Sequence, residues 1–244
     1  QHNFSVLCRY LRHQGVSGKL ALRVTRNAQF AVEQGTRCIP EGDVHLLQLL
    51  SEPVRVDLHF EIHSNDMRAH PLFEHYCQTK VSAMKRVCHR GVSVLSLAKG
   101  DVLFSAGEKP PQPQMLFVRR GRLSYQQDNM AVREVGVREW LCEAALWTNW
   151  RHRGTLAASS ECSLVAIDTA LFQRISAMSF NHDEETHPAK YAMWFVEQLC
   201  EFEFSELSDT QMDLDTEGWL QRQIPVVSSA SLMGRRFSLG TGPT

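Results

Sequence analysis

The residues whose types and spacing best suit chemistry lie between positions 141 and 153. Leu141-Cys142-Glu143-Ala144-Ala145-Leu146 opens a helix-compatible stretch that closes on Arg151-His152-Arg153 before Gly154. A carboxylate at a helix start is favoured by the macrodipole and needs no ligand to be there. The basic trio reads either as a solvated turn or as a contact for an anionic group. His152 would hold an anionic group more strongly once protonated, near the ordinary imidazole pKa of about 6.5. The chain contains no G-x-S-x-G, H-E-x-x-H, Walker lysine or kinase signature, and no nucleophile has an evident base. The stretch therefore reads as a binding element and the chain as a non-enzyme.

The elements that must position this stretch follow from periodicity. From Phe4 to Leu50 apolar residues recur every three or four positions, punctuated by Gly15, Gly35 and Pro40-Glu41-Gly42. Gly15-Val16-Ser17 reads as a turn with a serine N-cap, which makes the first two helices a short antiparallel hairpin. Ser51-Glu52-Pro53 starts a further helix running to about Asn65, with serine as its cap, and Pro71 opens a helical segment between His70 and Arg90. The period then changes to short β-type runs: from Val92, Val102–Phe104, Met115–Val118, Leu123–Tyr125 and Val132–Val135. Turn sequences containing Gly100, Gly107, Gly121 and Asp128-Asn129 separate them. The helix-compatible stretch at 140–154 interrupts this series, which resumes at Thr155 and Ser163. Asp168 caps a helix to about Met178, and Pro188 starts another reaching about Phe204 with an apolar face of Tyr191, Phe195, Leu199 and Phe202.

This order reads as an α+β fold: a helical part, a small antiparallel β-roll with a helix inserted late, and helices flanking it. The tail from Ser205, acidic and then Ser/Gly-rich, reads as poorly ordered. With 26 basic against 27 acidic residues no global field draws the chain to nucleic acid or an anionic membrane. No apolar run approaches the roughly 18–20 residues of a membrane helix. The cysteines (Cys8, Cys38, Cys77, Cys88, Cys142, Cys162, Cys200) are odd in number and never spaced as C-x-x-C, so they read as reduced thiols, with no metal site. Trp147 and Trp150 read as packing residues. Arg235-Arg236-Phe237-Ser238 matches a basophilic-kinase pattern and makes Ser238 a candidate phosphorylation site.

Several of these motifs, in this order, carry a family resemblance. Leu49-Leu50-Ser51-Glu52-Pro53-Val54-Arg55, Arg9-Tyr10-Leu11-Arg12, Pro71-Leu72-Phe73 and the turn glycines are similar to the C-linker and cyclic-nucleotide-binding domain of hyperpolarisation-activated, cyclic-nucleotide-gated and ether-à-go-go-type cation channels. The resemblance spans about residues 5 to 204. It implies a C-linker at 1–68, a nucleotide-binding-type jelly-roll at 69–204 with an inserted phosphate-binding-cassette helix, and a tail at 205–244. Leu141 to Leu146 resembles that cassette, in which free backbone N–H groups at a helix start face the cyclic phosphate. Glu143 falls on the carboxylate that takes the ribose hydroxyl, and an arginine nine or ten residues on would pair with the phosphate. Here His152 falls on that arginine's position, with Arg151 and Arg153 beside it, and Cys142 replaces the family's glycine.

The implied ligand-binding set is thus Leu141, Cys142, Glu143, Ala145, Arg151, His152 and Arg153, and the implied ligand is cAMP or cGMP. The implied partners are identical or homologous subunits in a tetramer, with no nucleic acid. Membrane contact would come only through an upstream pore domain, placing the chain at the cytoplasmic face of a membrane. The expected function is coupling of nucleotide binding to opening of a voltage- or nucleotide-gated, potassium-type channel. The alternatives are a nucleotide-independent gating and assembly module of an ether-à-go-go-like channel, and a nucleotide-responsive regulatory subunit of a kinase.

Overall fold

A computed structural model describes residues 2–37, 41–128, 130–180 and 185–223. Ser238 and its basic neighbours, Cys38 and Asn129 lie outside the described residues. The chain opens with helices α1 (His2–His13) and α2 (Gly18–Arg37), joined through Gly15 at φ +66°. The Ser17 hydroxyl accepts the Leu20 N–H at 3.4 Å, the N-cap that the hairpin reading expects. A 3₁₀ turn (Glu41–Asp43) and the short α3 (His45–Gln48) lead to α4 (Glu52–Met67), with Pro53 in its first turn. Ser51 makes no side-chain cap bond to α4, so that part of the expectation is corrected. Of the described residues from Phe4 to His63, only Leu11 is buried.

Helices α5 (Pro71–Thr79) and α6 (Val81–Arg90) replace the single helical segment read between His70 and Arg90. Lys80, at φ −124° and ψ +43°, leaves the helical region and bends the chain. Burial explains the bend, because Leu72, Phe73, Tyr76 and Cys77 on one side of it and Ala83, Met84, Val87 and Cys88 on the other all enter the same core.

Among the described residues eight strands follow: β1 (Val92–Leu97), β2 (Val102–Phe104), β3 (Gln114–Arg120), β4 (Leu123–Gln126), β5 (Arg133–Val135), β6 (Trp140–Leu141), β7 (Thr155–Ala158) and β8 (Cys162–Asp168). They form two four-stranded antiparallel sheets, ordered β1-β8-β3-β6 and β2-β7-β4-β5. Between β6 and β7 sits one turn of helix, α7 (Ala144–Trp147), while Trp140-Leu141 is strand and Arg151 to Gly154 is irregular. The stretch read as helix-compatible over 140–154 is therefore mostly strand and loop. Apolar side chains of both sheets join those of α5, α6 and α8 (Thr169–Ser179) in one core. Asp168 caps α8 through the Leu171 N–H at 2.7 Å, as expected. Helix α9 (Pro188–Glu201) stops short of Phe204, burying Tyr191 and Phe195, while Leu199 and Phe202 are only half-buried.

The chain from Ser205 departs most from its reading as a poorly ordered tail. Over 205–223 it crosses the sheets, forms a bridge between Thr210 and Leu141, and ends in α10 (Thr216–Gln223), which buries Trp219 and Leu220. Trp219 lies 5.1 Å from Tyr191 and 5.9 Å from Trp194, ring centre to ring centre, so aromatic burial is the force that folds the segment back.

The turn glycines behave as expected: Gly100, Gly107 and Gly121 have φ of +89°, +79° and +91°. Only Gly121 is also hemmed in, since a Cβ there would overlap the Glu161 carbonyl oxygen and come within 2.7 Å of the Cys162 sulfur. Gly121→Ala is expected to cost roughly 2–4 kcal/mol, combining left-handed strain with overpacking. Gly100→Ala, with open space around it, carries the strain alone, about 1–2 kcal/mol. Urea midpoints of the two variants check the difference.

Candidate anion-binding site

The site grows out of the end of β6. Leu141 is buried and pairs with Leu116 in β3, which fixes the direction of the chain as it leaves the sheet. Cys142 then turns it at φ +61°, a left-handed conformation that costs a residue with a Cβ about 1–2 kcal/mol. This is the position where the resembling family writes glycine. The strain is held in place because Cys142 is buried and its N–H donates to the Asp209 carbonyl at 2.6 Å. The short α7 follows, and Ala145, also buried, receives the Thr169 hydroxyl on its carbonyl at 3.0 Å.

Asp209, only 1% exposed, is the centre of the arrangement. Its Oδ1 accepts from His152 Nδ1 at 2.8 Å and from Trp150 Nε1 at 2.7 Å. Its Oδ2 accepts from the Tyr125 hydroxyl at 2.8 Å and from the backbone N–H groups of Arg153 at 2.7 Å and Gly154 at 3.0 Å. Burial by itself pushes this carboxyl up. The donors His152, Trp150 and Tyr125, with the charge His152 can carry, outweigh burial and hold it below the ordinary 3.8. The His152 ring is fixed from the other side by stacking on Phe104, centroid to centroid 3.7 Å and nearly parallel at 6°. Gly154 is required by the same packing, since a Cβ would come within 2.6 Å of the Tyr125 ring.

The acidic group that His152 faces is the chain's own Asp209 carboxylate. The donors facing it differ from the expected ones: they are the amides of Arg153 and Gly154, while Ala145 and Leu146 N–H bond within their own turn to Cys142 and Glu143 carbonyls. Neither arginine side chain reaches Asp209. Arg151 donates to the Gly107 carbonyl at 2.8 Å, and Arg153 donates to the Phe204 carbonyl at 2.9 Å with its guanidinium 3.5 Å over the Phe204 ring.

Glu143 lies outside this cluster, in a second buried one. It accepts from the Tyr191 hydroxyl at 2.7 Å and Trp140 Nε1 at 3.2 Å, and His70 Nε2 lies 3.0 Å away at an angle outside a hydrogen bond's. His70 takes the Leu72 N–H on Nδ1 at 3.2 Å, capping α5, so its Nε2 carries a proton toward Glu143. Burial raises this carboxyl, but His70, Tyr191 and Trp140 together lower it. Glu143 therefore ties α5, β6 and α9 to one point.

Cys142, His152 and Asp209 are together the right donor types for a metal or a thiol nucleophile. Both oxygens of Asp209 already carry N–H and O–H donors, which a cation would have to displace. A relay needs the imidazole's two nitrogens to face nucleophile and orienting acid separately. Here Cys142 Sγ, at 3.9 Å, and Asp209 crowd the same Nδ1. Burial, with the Asp209 charge beside it, pushes the Cys142 thiol well up, away from the reactive thiolate. The arrangement suits holding a carboxylate.

Sequence reasoning placed Cys142, His152, Arg153 and Glu143 in one region but missed Asp209, Tyr125, Trp150, Gly154, His70 and Tyr191 as their partners. The available signal was Trp219-Leu220, an apolar pair in the supposed tail that marks a packed return of the chain. No family model matches the chain, and no match to it was found among curated proteins.

Proposed function

We propose that this chain is a nucleotide-independent gating and assembly module of an ether-à-go-go-like cation channel, built as a helical linker and a jelly-roll of the cyclic-nucleotide-binding type. The observation that carries this reading is the Asp209 carboxylate, buried on His152 and the Arg153 and Gly154 amides, where an anionic ligand would otherwise be needed. Self-filling leaves no role for cAMP or cGMP in ordering the site. The linker supports the assembly half. Leu46 and Leu49, 73% and 74% exposed, and Tyr10, Leu20, Leu22 and Val54 leave its apolar faces uncovered among the described residues. Copies arranged in a closed ring of four would cover them. No helix among the described residues is long and apolar enough to cross a membrane, so attachment to a pore at the cytoplasmic face belongs to the proposal.

Coupling of cyclic-nucleotide binding to pore opening is the second reading. It draws on a cavity of about 500 Å³ that Glu143 lines together with Trp140 and residues 211–217. Calorimetry with cAMP and cGMP separates the two: no heat up to millimolar nucleotide is the expected result, and saturable heat overturns self-filling. Sedimentation is expected to show a tetramer that Leu49→Glu dissociates, and a monomer at every concentration would remove the assembly claim.

A further inference from the structure

A third cluster, remote in sequence from the Asp209 site, joins the linker to α6. His59 stands on α4 and His89 near the end of α6, and their Nδ1 atoms are 3.1 Å apart with ring centroids 4.9 Å apart. The opposite nitrogen of each ring is tied to a carboxylate: His59 Nε2 to Glu41 Oε1 at 2.9 Å, and His89 Nε2 to Glu52 Oε1 at 3.0 Å. A carboxylate accepts only, so each Nε2 carries the proton and each neutral ring has its lone pair on Nδ1. The two Nδ1 atoms then face each other across 3.1 Å, a separation that a shared proton or a metal ion can bridge.

We propose that His59 and His89 bind a divalent transition metal through Nδ1, with zinc the ion whose chemistry fits. Imidazoles that ligate metals characteristically donate their other N–H to a carboxylate, which fixes tautomer and ring orientation and raises ligand basicity. Both rings show that arrangement here. Two nitrogens at about 2.0–2.1 Å from one tetrahedral ion stand roughly 3.4 Å apart, so the rings need to open by only a few tenths of an ångström. Two carboxylates, one of them shared with Arg55, and two neutral imidazoles leave the site a net negative charge that favours a cation. Of the surrounding charges, Arg55 pairs with Glu52 at 3.1 Å, Lys85 with Asp57, and Arg119 with Asp66, so no unpaired cation among them competes for the gap. The imidazoles are 13% exposed, which leaves the remaining coordination positions open to water or to a donor from a neighbouring copy. An ion there would clamp the 3₁₀ turn that carries Glu41, and α4, onto α6.

The test is Zn²⁺ calorimetry on the whole chain under a non-chelating reductant, with Co²⁺ absorption and ¹⁵N spectra of the histidines. Expected are saturable Zn²⁺ binding, a Co²⁺ spectrum without thiolate charge-transfer bands, and a shift of both Nδ1 resonances on adding Zn²⁺. His59→Gln and His89→Gln should each remove binding, Glu52→Gln should weaken it about 10–100-fold, and Cys142→Ser should leave it unchanged. The Nδ1 shift reads the site in the unmodified protein, so a variant that fails to fold does not spoil the test. Absence of Zn²⁺ binding at millimolar metal would mean that the pair shares only a proton, and would overturn the proposal. Thiolate bands abolished by Cys142→Ser would move the ion to the buried Cys142 cluster and overturn it equally.

Discussion

Asp209→Ala is expected to destabilise the folded chain by about 3–5 kcal/mol, the loss typical of removing one member of a buried charged network. The magnitude follows from what is left behind. Trp150 Nε1, the Tyr125 hydroxyl, the amides of Arg153 and Gly154 and the His152 imidazole would all lose their acceptor at once, and each unsatisfied buried donor costs about 1–3 kcal/mol before relaxation and water entry. Chemical denaturation at neutral pH measures the loss. Asp209→Asn should recover part of it, because its amide oxygen still accepts although its NH₂ faces a donor. The same group sets an acid limb. A carboxyl lowered from 3.8 in the folded state adds stability that is fully present above about pH 4 and lost as pH falls through the folded value. The wild type should therefore lose stability more steeply below pH 4 than Asp209→Ala, and parallel acid limbs would remove Asp209 from the role given to it.

The second large effect is expected at Glu143. Glu143→Ala should cost about 2–4 kcal/mol, since the Tyr191 hydroxyl, Trp140 Nε1 and His70 Nε2 would each face a void in a buried setting. Glu143→Gln should cost less, by keeping an acceptor. Both substitutions test the structural role of the carboxylate against the ribose contact implied by resemblance. A ribose ligand alone would leave stability unmoved on Glu143→Ala in the absence of nucleotide. Hydrogen exchange adds a location to the magnitude: protection should fall at α5 and α9 together, because Glu143 joins them.

Much of the α+β layout was legible because it rests on local signals. Proline at the first turns of α4, α5 and α9, the Ser17 and Asp168 caps, and glycines at positive φ each act within a few residues of their own position. What escaped was long-range. The break at Lys80 has no glycine or proline to mark it, and arises because the residues on both sides must face one core. Strand β6 is two residues long and exists by pairing with β3 and by the bridge from Leu141 to Thr210. Asp209 looks in sequence like any of its neighbours Glu203, Glu206, Asp213 and Asp215. Only the tertiary path of 205–223 sets it apart, by burying that carboxylate among donors contributed from β4 and the loop before β7.

The crossing segment also bears on how α9 is free to move. Tyr191, in the first turn of α9, shares its hydroxyl between Glu143 and the Thr216 hydroxyl at 3.2 Å, while Asp209, seven residues before Thr216, is seated under His152. The helix and the strand-like return after it are thus sewn to the same wall by two stitches. Swinging α9 outward would tug on both, so displacement of that helix and withdrawal of the carboxylate become a single mechanical event, and a force applied at one end of the seam is felt at the other.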